Sequence, residues 1–168
     1  MSEQEIVDEI IKNFKVDASI QKERRILMKT TPDKLIDLCR FIKEDIGFNH
    51  LSSLSVTDWL KKGVFELTYH IWSYEDKILI TIKTEVNRDK PEIESVYPIW
   101  DRSAQIHERE MHELFGIEYK GNPDLTPLFL EDWQDKPPFR KDFDWREYVR
   151  NNYYDKENER ELAYFESD

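Results

Sequence analysis

Apolar residues recur at helical spacing in two segments near the start of the chain. The first stripe covers residues 6–14, and Ser2 with Glu5 has the spacing of a helix capping box just before it. The second covers residues 32–46 and begins with a proline, which suits the first turn of a helix. Between them, the apolar run at residues 24–30 predicts a strand. The chain is therefore predicted to start with helix, strand and helix.

The middle of the chain alternates apolar and polar residues with a period of two. The alternation occupies residues 54–56, 65–71 and 78–82, and short polar connections between these segments predict antiparallel hairpins. A sheet with one apolar face must be covered, and the predicted helices can cover it. The predicted fold class is therefore α+β, an antiparallel sheet packed by helices.

The last third of the chain changes character after one more predicted helix. That helix covers residues 101–115 and ends at Gly116. Four of the seven prolines follow it, and proline fixes φ and removes a backbone donor, so an extended, irregular segment is expected. We predict an α+β core domain over residues 1–120, a proline-rich extended arm over residues 121–142, and an acidic, aromatic C-terminal tail over residues 143–168.

Charge and composition exclude several partners. The 168-residue chain has a net charge of -11, which disfavours nucleic acid and an anionic membrane surface. No apolar run approaches the ~20 residues of a spanning helix, and the N-terminus lacks a signal-peptide pattern. We therefore expect no nucleic-acid partner, no direct membrane insertion and a cytoplasmic location.

The residues themselves give little support for a bound cofactor. The single cysteine, Cys39, cannot supply the four thiolates that usually hold an iron–sulfur cluster, and its apolar helical neighbours predict burial. His107 and His112 are five residues apart, whereas a zinc-protease helix needs two histidines four apart. Glu108 and His112 do share a helical face, so a metal-dependent hydrolase using this pair is the alternative from another functional class, although it lacks a third ligand.

The third predicted helix has an apolar stripe and a charged face. The stripe consists of Trp100, Ala104, Met111 and Phe115. Glu108 lies at its margin, where an unpaired carboxylate would be costly. We predict that Arg140, from the Arg140-Lys141-Asp142 block, is its partner, because a guanidinium can bind a carboxylate through two parallel hydrogen bonds.

The opposite face of this helix allows two interpretations. It carries Arg102, Ile106, Arg109 and Glu113, with Glu110 near its edge. The face is either solvated and tied by an Arg109–Glu113 pair worth ~0.3–0.5 kcal/mol, or it contacts another subunit. The arm offers the same choice: its aromatic residues either contact a partner protein or fold back over their own domain. The part of the tail beyond Asn151 is rich in charge, and we expect it to become ordered only in a complex.

Several short blocks occur in a fixed order between Trp100 and Phe143. They are Glu108-Arg109-Glu110, Leu114-Phe115-Gly116-Ile117, Pro123-Asp124-Leu125, Leu128-Phe129-Leu130-Glu131-Asp132-Trp133 and Pro138-Phe139-Arg140-Lys141-Asp142-Phe143. This order resembles the signature of the 30 kDa subunit of respiratory complex I and its relatives in archaeal membrane-bound NiFe hydrogenases. Asn122 stands where many respiratory members have histidine, and Thr126-Pro127 replaces two arginines. These departures favour the hydrogenase-related branch.

The resemblance implies a non-catalytic structural subunit in the peripheral arm of a membrane-bound, ion-translocating respiratory complex. Such a subunit docks on a large hydrogenase-like (49 kDa-type) subunit at the cytoplasmic face of the membrane, beside iron–sulfur and membrane subunits. Iron–sulfur clusters and a NiFe site would belong to those other subunits. The alternative is the corresponding subunit of an NADH- or F(420)H(2):quinone-type complex I. The partner-binding or motif residues are Ile106, Glu108, Arg109, Glu110, His112, Glu113, Trp133, Arg140, Lys141, Asp142, Phe143 and Trp145.

Overall fold

A computed structural model of the chain describes residues 1–154. The helices of this part are α1 (Glu3–Phe14), α2 (Pro32–Glu44), α3 (Tyr97–Phe115) and the short α4 (Trp145–Val149). Its strands are β1 (Asp17–Lys22), β2 (Arg25–Lys29), β3 (His50–Trp59), β4 (Val64–Ser73), β5 (Ile78–Asn87), β6 (Glu92–Glu94) and β7 (Glu118–Lys120). Residues 155–168, which include most of the predicted acidic tail, lie outside the described part.

The predicted capping box starts α1. The Ser2 hydroxyl accepts from the backbone N–H of Glu5, and the Glu5 carboxylate accepts from the backbone N–H of Ser2 at 2.8 Å. Both bonds satisfy donors that a helix start would otherwise leave unpaired. Proline also behaves as predicted at the start of α2, where Pro32 occupies the first helical position.

The main sheet has five strands in the order β1-β2-β5-β4-β3. Three neighbouring pairs are antiparallel, whereas β2 and β5 run parallel. The α+β class is confirmed, and the parallel pair is an addition to the predicted antiparallel sheet. It arises because the chain crosses over through α2 after β2, and the hairpin of β4 and β5 then places β5 beside β2 in the same direction. Strand β1 was not predicted, since most of its side chains are exposed.

The core lies between one face of this sheet and the helices. The odd-numbered residues of β4 and the even-numbered residues of β5 are buried, as their alternation predicts. Cys39 of α2 is fully buried in the same core, where burial raises the pKa of its thiol well above the usual range. The thiolate form is therefore disfavoured at this position.

Helix α3 begins one turn earlier than predicted and contains a break. Its backbone leaves the helical region at Trp100 and Asp101, and Asp101 has a φ of 48°. The predicted start at residue 101 therefore coincides with the kink. On either side of α3, strands β6 and β7 pair in parallel as a separate two-stranded sheet. These two strands have three residues each, too few to show a period in the sequence.

Candidate functional site

The outer face of α3 binds the backbone of the arm (residues 121–142). Arg109 donates to the carbonyl oxygens of Thr126 and Pro127, at 2.5 and 2.7 Å. The same guanidinium lies 3.4 Å from the carboxylate of Asp124. Arg109 therefore positions the first half of the arm through main-chain acceptors and one ion pair.

Glu113 lies one helical turn after Arg109 and binds the next part of the arm. Its carboxylate accepts from the backbone N–H groups of Leu128, Phe129 and Leu130, at 3.1, 3.0 and 2.6 Å. The Arg109–Glu113 pair, which one of the two interpretations of this face required, does not form within the described residues. Each side chain bonds arm backbone instead, because the arm folds back over its own domain.

The arm passes closely over the end of α3. Gly116 closes the helix with a φ of 76°, and a Cβ placed there would lie 2.9 Å from Cγ of Pro137. Just beyond, the backbone N–H of Phe139 donates to the carbonyl of Leu114 at 3.0 Å. Gly116 is therefore required both for its left-handed backbone and for the space that Pro137 occupies.

Glu108 points inward from α3 and is fully buried. Its carboxylate accepts from the Ser95 hydroxyl, from the backbone N–H of Val96 at 2.7 Å and from the Asn122 amide at 2.8 Å. Burial raises the pKa of this carboxyl, and the three hydrogen bonds offset only part of that effect. Glu108 thus joins the segment before α3 to the start of the arm.

The predicted Glu108–Arg140 pair is wrong. Three local donors already satisfy Glu108, and Arg140 donates instead to the carbonyl of Arg88 at 3.2 Å. Wheel geometry placed Glu108 at the margin of the apolar stripe. The kink in α3 and the turn at Asn122 bring polar groups to that margin, which the wheel does not represent.

The Arg140-Lys141-Asp142 block docks on a buried ion cluster at the end of the main sheet. Arg88 donates two hydrogen bonds to Asp58, at 2.8 and 3.0 Å, and a third to Asp142. The backbone N–H of Lys141 also donates to Asp58, at 2.8 Å. Burial alone would raise the pKa of Asp58, but the bonds from Arg88 and Lys141 outweigh it and lower this pKa.

Arg88 and Asp58 were missed at the sequence level, although a signal was present. Arg88 continues the even-numbered series of β5, whose earlier members are buried, and Asp58 continues the series of Leu54, which is buried, and Val56, which is half-buried. A charged residue in phase with a buried series must find a partner, and two such residues of opposite charge can pair. No comparable signal marked Ser95 or Asn122 in the sequence, since neither lies in a segment with a periodic pattern.

Aromatic residues from the arm and from the segment just after it pack against one another. Trp133, Phe143, Trp145 and Tyr148 form this cluster, which we term the aromatic cap. Neighbouring ring centroids lie 4.8 to 5.9 Å apart, and Trp145 remains 46% exposed. The cap therefore encloses part of its own apolar surface and presents the rest to the outside.

The remaining predicted site residues do not converge on a metal. The Nδ1 atom of His112 lies 2.8 Å from the carbonyl oxygen of Ile117, whereas both oxygens of Glu108 accept other bonds. Residues 1–154 contain no group of three or more side chains placed to hold a metal ion. Ile106 is 41% exposed on the outer side of α3, and Glu110 is half-buried beside it. Within the described part, no helix is long and apolar enough to span a membrane.

Sequence comparisons relate the chain to a known family. The family model described as "Respiratory-chain NADH dehydrogenase, 30 Kd subunit" matches residues 28–149. The chain is 37% identical over 129 residues to the C subunit of F(420)H(2) dehydrogenase from Methanosarcina mazei, covering 76% of this chain and 81% of that protein. It is 35% identical over 115 residues to the C subunit of NADH-quinone oxidoreductase from Roseiflexus sp., covering 66% of this chain and 65% of that one.

Two solved structures are similar to this fold. A chain in the structure of the membrane-bound sulfane sulfur reductase, an archaeal respiratory membrane complex, superposes with a TM-score of 0.82 at 32% identity. The match covers 89% of this chain and 90% of that chain. The trypsin-resistant fragment of Nqo5 gives a TM-score of 0.61 at 21% identity, covering 73% of this chain and 98% of the fragment, which indicates a shared fold.

Removing the Glu113 carboxylate should loosen the arm. Glu113→Ala leaves three backbone N–H groups without their acceptor, and we expect a loss of roughly 1–2 kcal/mol in the free energy of unfolding. Chymotrypsin should also cleave faster after Phe129, whose backbone N–H is one of the three. Urea unfolding and timed proteolysis measure the two effects. Glu110→Ala is the matched control, and equal effects of the two variants would contradict the role of Glu113.

The effect of the close approach of Pro137 to Gly116 can be separated from backbone strain by comparison with a second glycine. Gly63 has a φ of 68°, and a Cβ added there would meet nothing within 4 Å, so Gly63→Ala introduces only backbone strain, about 1–2 kcal/mol. Gly116→Ala adds a clash with the arm, so it should destabilise the chain more than Gly63→Ala does. Thermal unfolding of both variants gives the difference. Equal melting temperatures would show that the arm does not rest on Gly116.

The raised pKa of Glu108 has a definite consequence for stability. A carboxyl whose pKa is higher in the folded state than in the unfolded state favours folding when protonated. The stability of the wild type relative to Glu108→Gln should therefore be greatest below the unfolded pKa of about 4.3 and fall as pH rises through the raised value. Urea unfolding of both proteins across this range measures the difference. A relative gain for the wild type with rising pH would contradict the assignment.

Proposed function

The chain belongs to the family of the 30 kDa subunit of respiratory-chain NADH dehydrogenase, and on that premise we propose that it is a non-catalytic docking subunit for a large partner subunit. The family consists of subunits of complex I-related respiratory complexes, so this chain is a subunit of an oxidoreductase complex and not an enzyme acting alone. The proposal concerns what the subunit does there and which surface it uses.

The observation that carries the proposal is the exposure of large apolar side chains along α3, the arm and the aromatic cap. Ile106 is 41% exposed, Phe129 64%, Phe139 56% and Trp145 46%. The neighbouring backbone is nevertheless fixed, because the backbone N–H of Phe129 donates to the Glu113 carboxylate and that of Phe139 donates to the Leu114 carbonyl. A fixed backbone that presents aromatic side chains outward is typical of a protein interface, where aromatic anchors supply most of the binding energy.

The docking partner proposed for this surface is the large, 49 kDa-type subunit of a membrane-bound, ion-translocating complex. We place the subunit in the peripheral arm, on the cytoplasmic side of the membrane, with contacts to iron–sulfur and membrane subunits. The redox groups, including iron–sulfur clusters and a NiFe-type site, belong to other subunits in this proposal. The single buried cysteine of this chain supports that division, because it offers no set of thiolates for a cluster.

The branch proposed first is the hydrogenase-related one. The departures at Asn122, Thr126 and Pro127 from the respiratory pattern support it, and the likeness to the sulfane sulfur reductase chain over 89% of the sequence supports an archaeal respiratory membrane complex. In this structure Asn122 bonds Glu108, and the carbonyls of Thr126 and Pro127 bond Arg109. The three residues that depart from the respiratory pattern therefore lie where α3 contacts the arm.

The second candidate is the corresponding subunit of an F(420)H(2) or NADH dehydrogenase. The 37% identity to the F(420)H(2) dehydrogenase protein favours it. Purification of the complex through a tag on this chain separates the candidates. A NiFe-containing large subunit supports the hydrogenase branch, whereas a large subunit without nickel supports a sulfur-, F(420)H(2)- or quinone-linked branch.

Truncating two exposed side chains should test the docking surface. Ile106→Ala with Phe129→Ala is expected to weaken association with the large subunit by about tenfold or more, corresponding to ~1.4 kcal/mol. The melting temperature of the isolated chain should change little, because both side chains are largely outside the core. Titration of the isolated chain against the large subunit gives the affinity.

The matched control removes exposed apolar groups elsewhere. Ile20 on β1 and Tyr74 beyond β4 are 41% and 71% exposed. Ile20→Ala with Tyr74→Ala should leave the affinity for the large subunit unchanged. Equal weakening by both double variants, or none by either, would count against docking through α3 and the arm.

A further inference from the structure

Strand β5 extends past the end of its neighbour β2, so the last part of this edge pairs with no strand of the main sheet within the described residues. Pairing between the two strands stops at Lys29 and Lys83, where β2 turns away into α2. Strand β5 continues to Asn87, with β4 still beside it on the other edge. A groove of about 500 Å³ lies at this step in the sheet.

The backbone at this step can accept another strand. The N–H of Leu79 and the carbonyl of Lys83 bond across to the β2 side. Because successive residues of a strand alternate in direction, the N–H and C=O of Glu85 point to the same side. No other described strand of the main sheet lies there. An extended polypeptide could therefore continue the sheet in the place that β2 vacates.

The groove is locally positive although the chain is strongly acidic. Its charged lining comprises Lys29, Lys62, Lys83, Glu66 and Glu85. Three lysines against two glutamates leave one positive charge, in a chain whose net charge is -11. Lys83 pairs with Glu66 at 2.7 Å, whereas Lys29 and Lys62 form no ion pair with any of residues 1–154.

Thr84, one of the residues that line the groove, has a buried hydroxyl without a partner. Thr84 is 2% exposed, and its Oγ1 atom forms no hydrogen bond within the described part of the chain. A buried polar group without a partner is costly, and native structures rarely keep one unless something else supplies the bond. A ligand carbonyl or carboxylate in the groove would supply it.

We propose that this β5 edge groove binds an extended, acidic segment of a partner subunit. The segment adds a short strand beside Glu85, presents carboxylates to Lys29 and Lys62, and accepts a hydrogen bond from Thr84. An anionic membrane fits the groove less well, because the chain as a whole repels such a surface and a free strand edge suits polypeptide backbone. The inference rests on the proposed function only in requiring that the chain assembles with partner subunits.

Hydrogen exchange of the peptide that covers residues 83–88 tests the proposal. We expect its amides to exchange more slowly in the purified complex than in the isolated full-length chain, by about tenfold or more. Lys29→Glu with Lys62→Glu should remove this protection while the complex still forms through α3 and the arm. Lys22→Glu with Lys77→Glu, a control at two exposed lysines elsewhere, should leave the protection in place.

Thr84→Val provides a second test that a folding defect cannot imitate. Valine has a similar shape and removes the unpartnered hydroxyl, so the isolated chain should keep or gain thermal stability. The protection of residues 83–88 in the complex should nevertheless fall.

Three results would overturn the inference. The first is equal exchange of residues 83–88 in the complex and in the isolated chain. The second is protection already present in the isolated chain and lost when the chain ends at residue 154, which would make its own tail the occupant. The third is protection that appears only on addition of phosphatidylserine vesicles. A complex that forms without this protection refutes the groove alone, whereas failure to recover any complex refutes the proposed function and the inference together.

Discussion

The carboxylate of Glu113 accepts hydrogen bonds from three successive backbone N–H groups of the arm, and the placement of the middle of the arm depends on that contact. A proline-rich segment has few backbone donors and forms no regular hydrogen-bonded element of its own. Its position must therefore be fixed by contacts with another element, and α3 makes those contacts. Arg109, one turn earlier on the same face, accepts no bond but donates to the preceding carbonyls, so the two side chains together satisfy both kinds of backbone group.

Helix α3 therefore organises the molecule in two directions. Inward, Glu108 joins the segment before the helix to Asn122 at the start of the arm. Outward, Arg109 and Glu113 hold the middle of the arm. The far end is anchored separately, where Asp58 and Arg88 at the end of the sheet bind Lys141 and Asp142. With the backbone fixed at three places, the aromatic side chains between and beyond these anchors are held outward in a defined arrangement. Such preorganisation lowers the entropic cost of binding a partner.

The sequence predicted most of the core but little of the joint between core and arm. Alternation in β4 and β5 and the stripes of α1 and α2 predicted those elements, because each repeats a local period. Strands β6 and β7 are too short to repeat one, and β1 is too exposed. The motif residues were predicted, but their partners were not: Glu108 bonds Ser95 and Asn122 instead of Arg140. Those bonds depend on the kink at Asp101 and on the path of an irregular segment, neither of which follows from periodicity. The family blocks lie along α3 and the arm.

Oxidative footprinting of the aromatic side chains tests the central claim most directly. Hydroxyl-radical labelling reports how accessible each ring is in the isolated chain and in the purified complex. The account predicts that Phe129, Phe139 and Trp145 become protected on assembly, while Tyr74, which is 71% exposed beyond β4, keeps its reactivity. Unchanged labelling of the three arm and cap residues in the assembled complex would contradict docking through this surface.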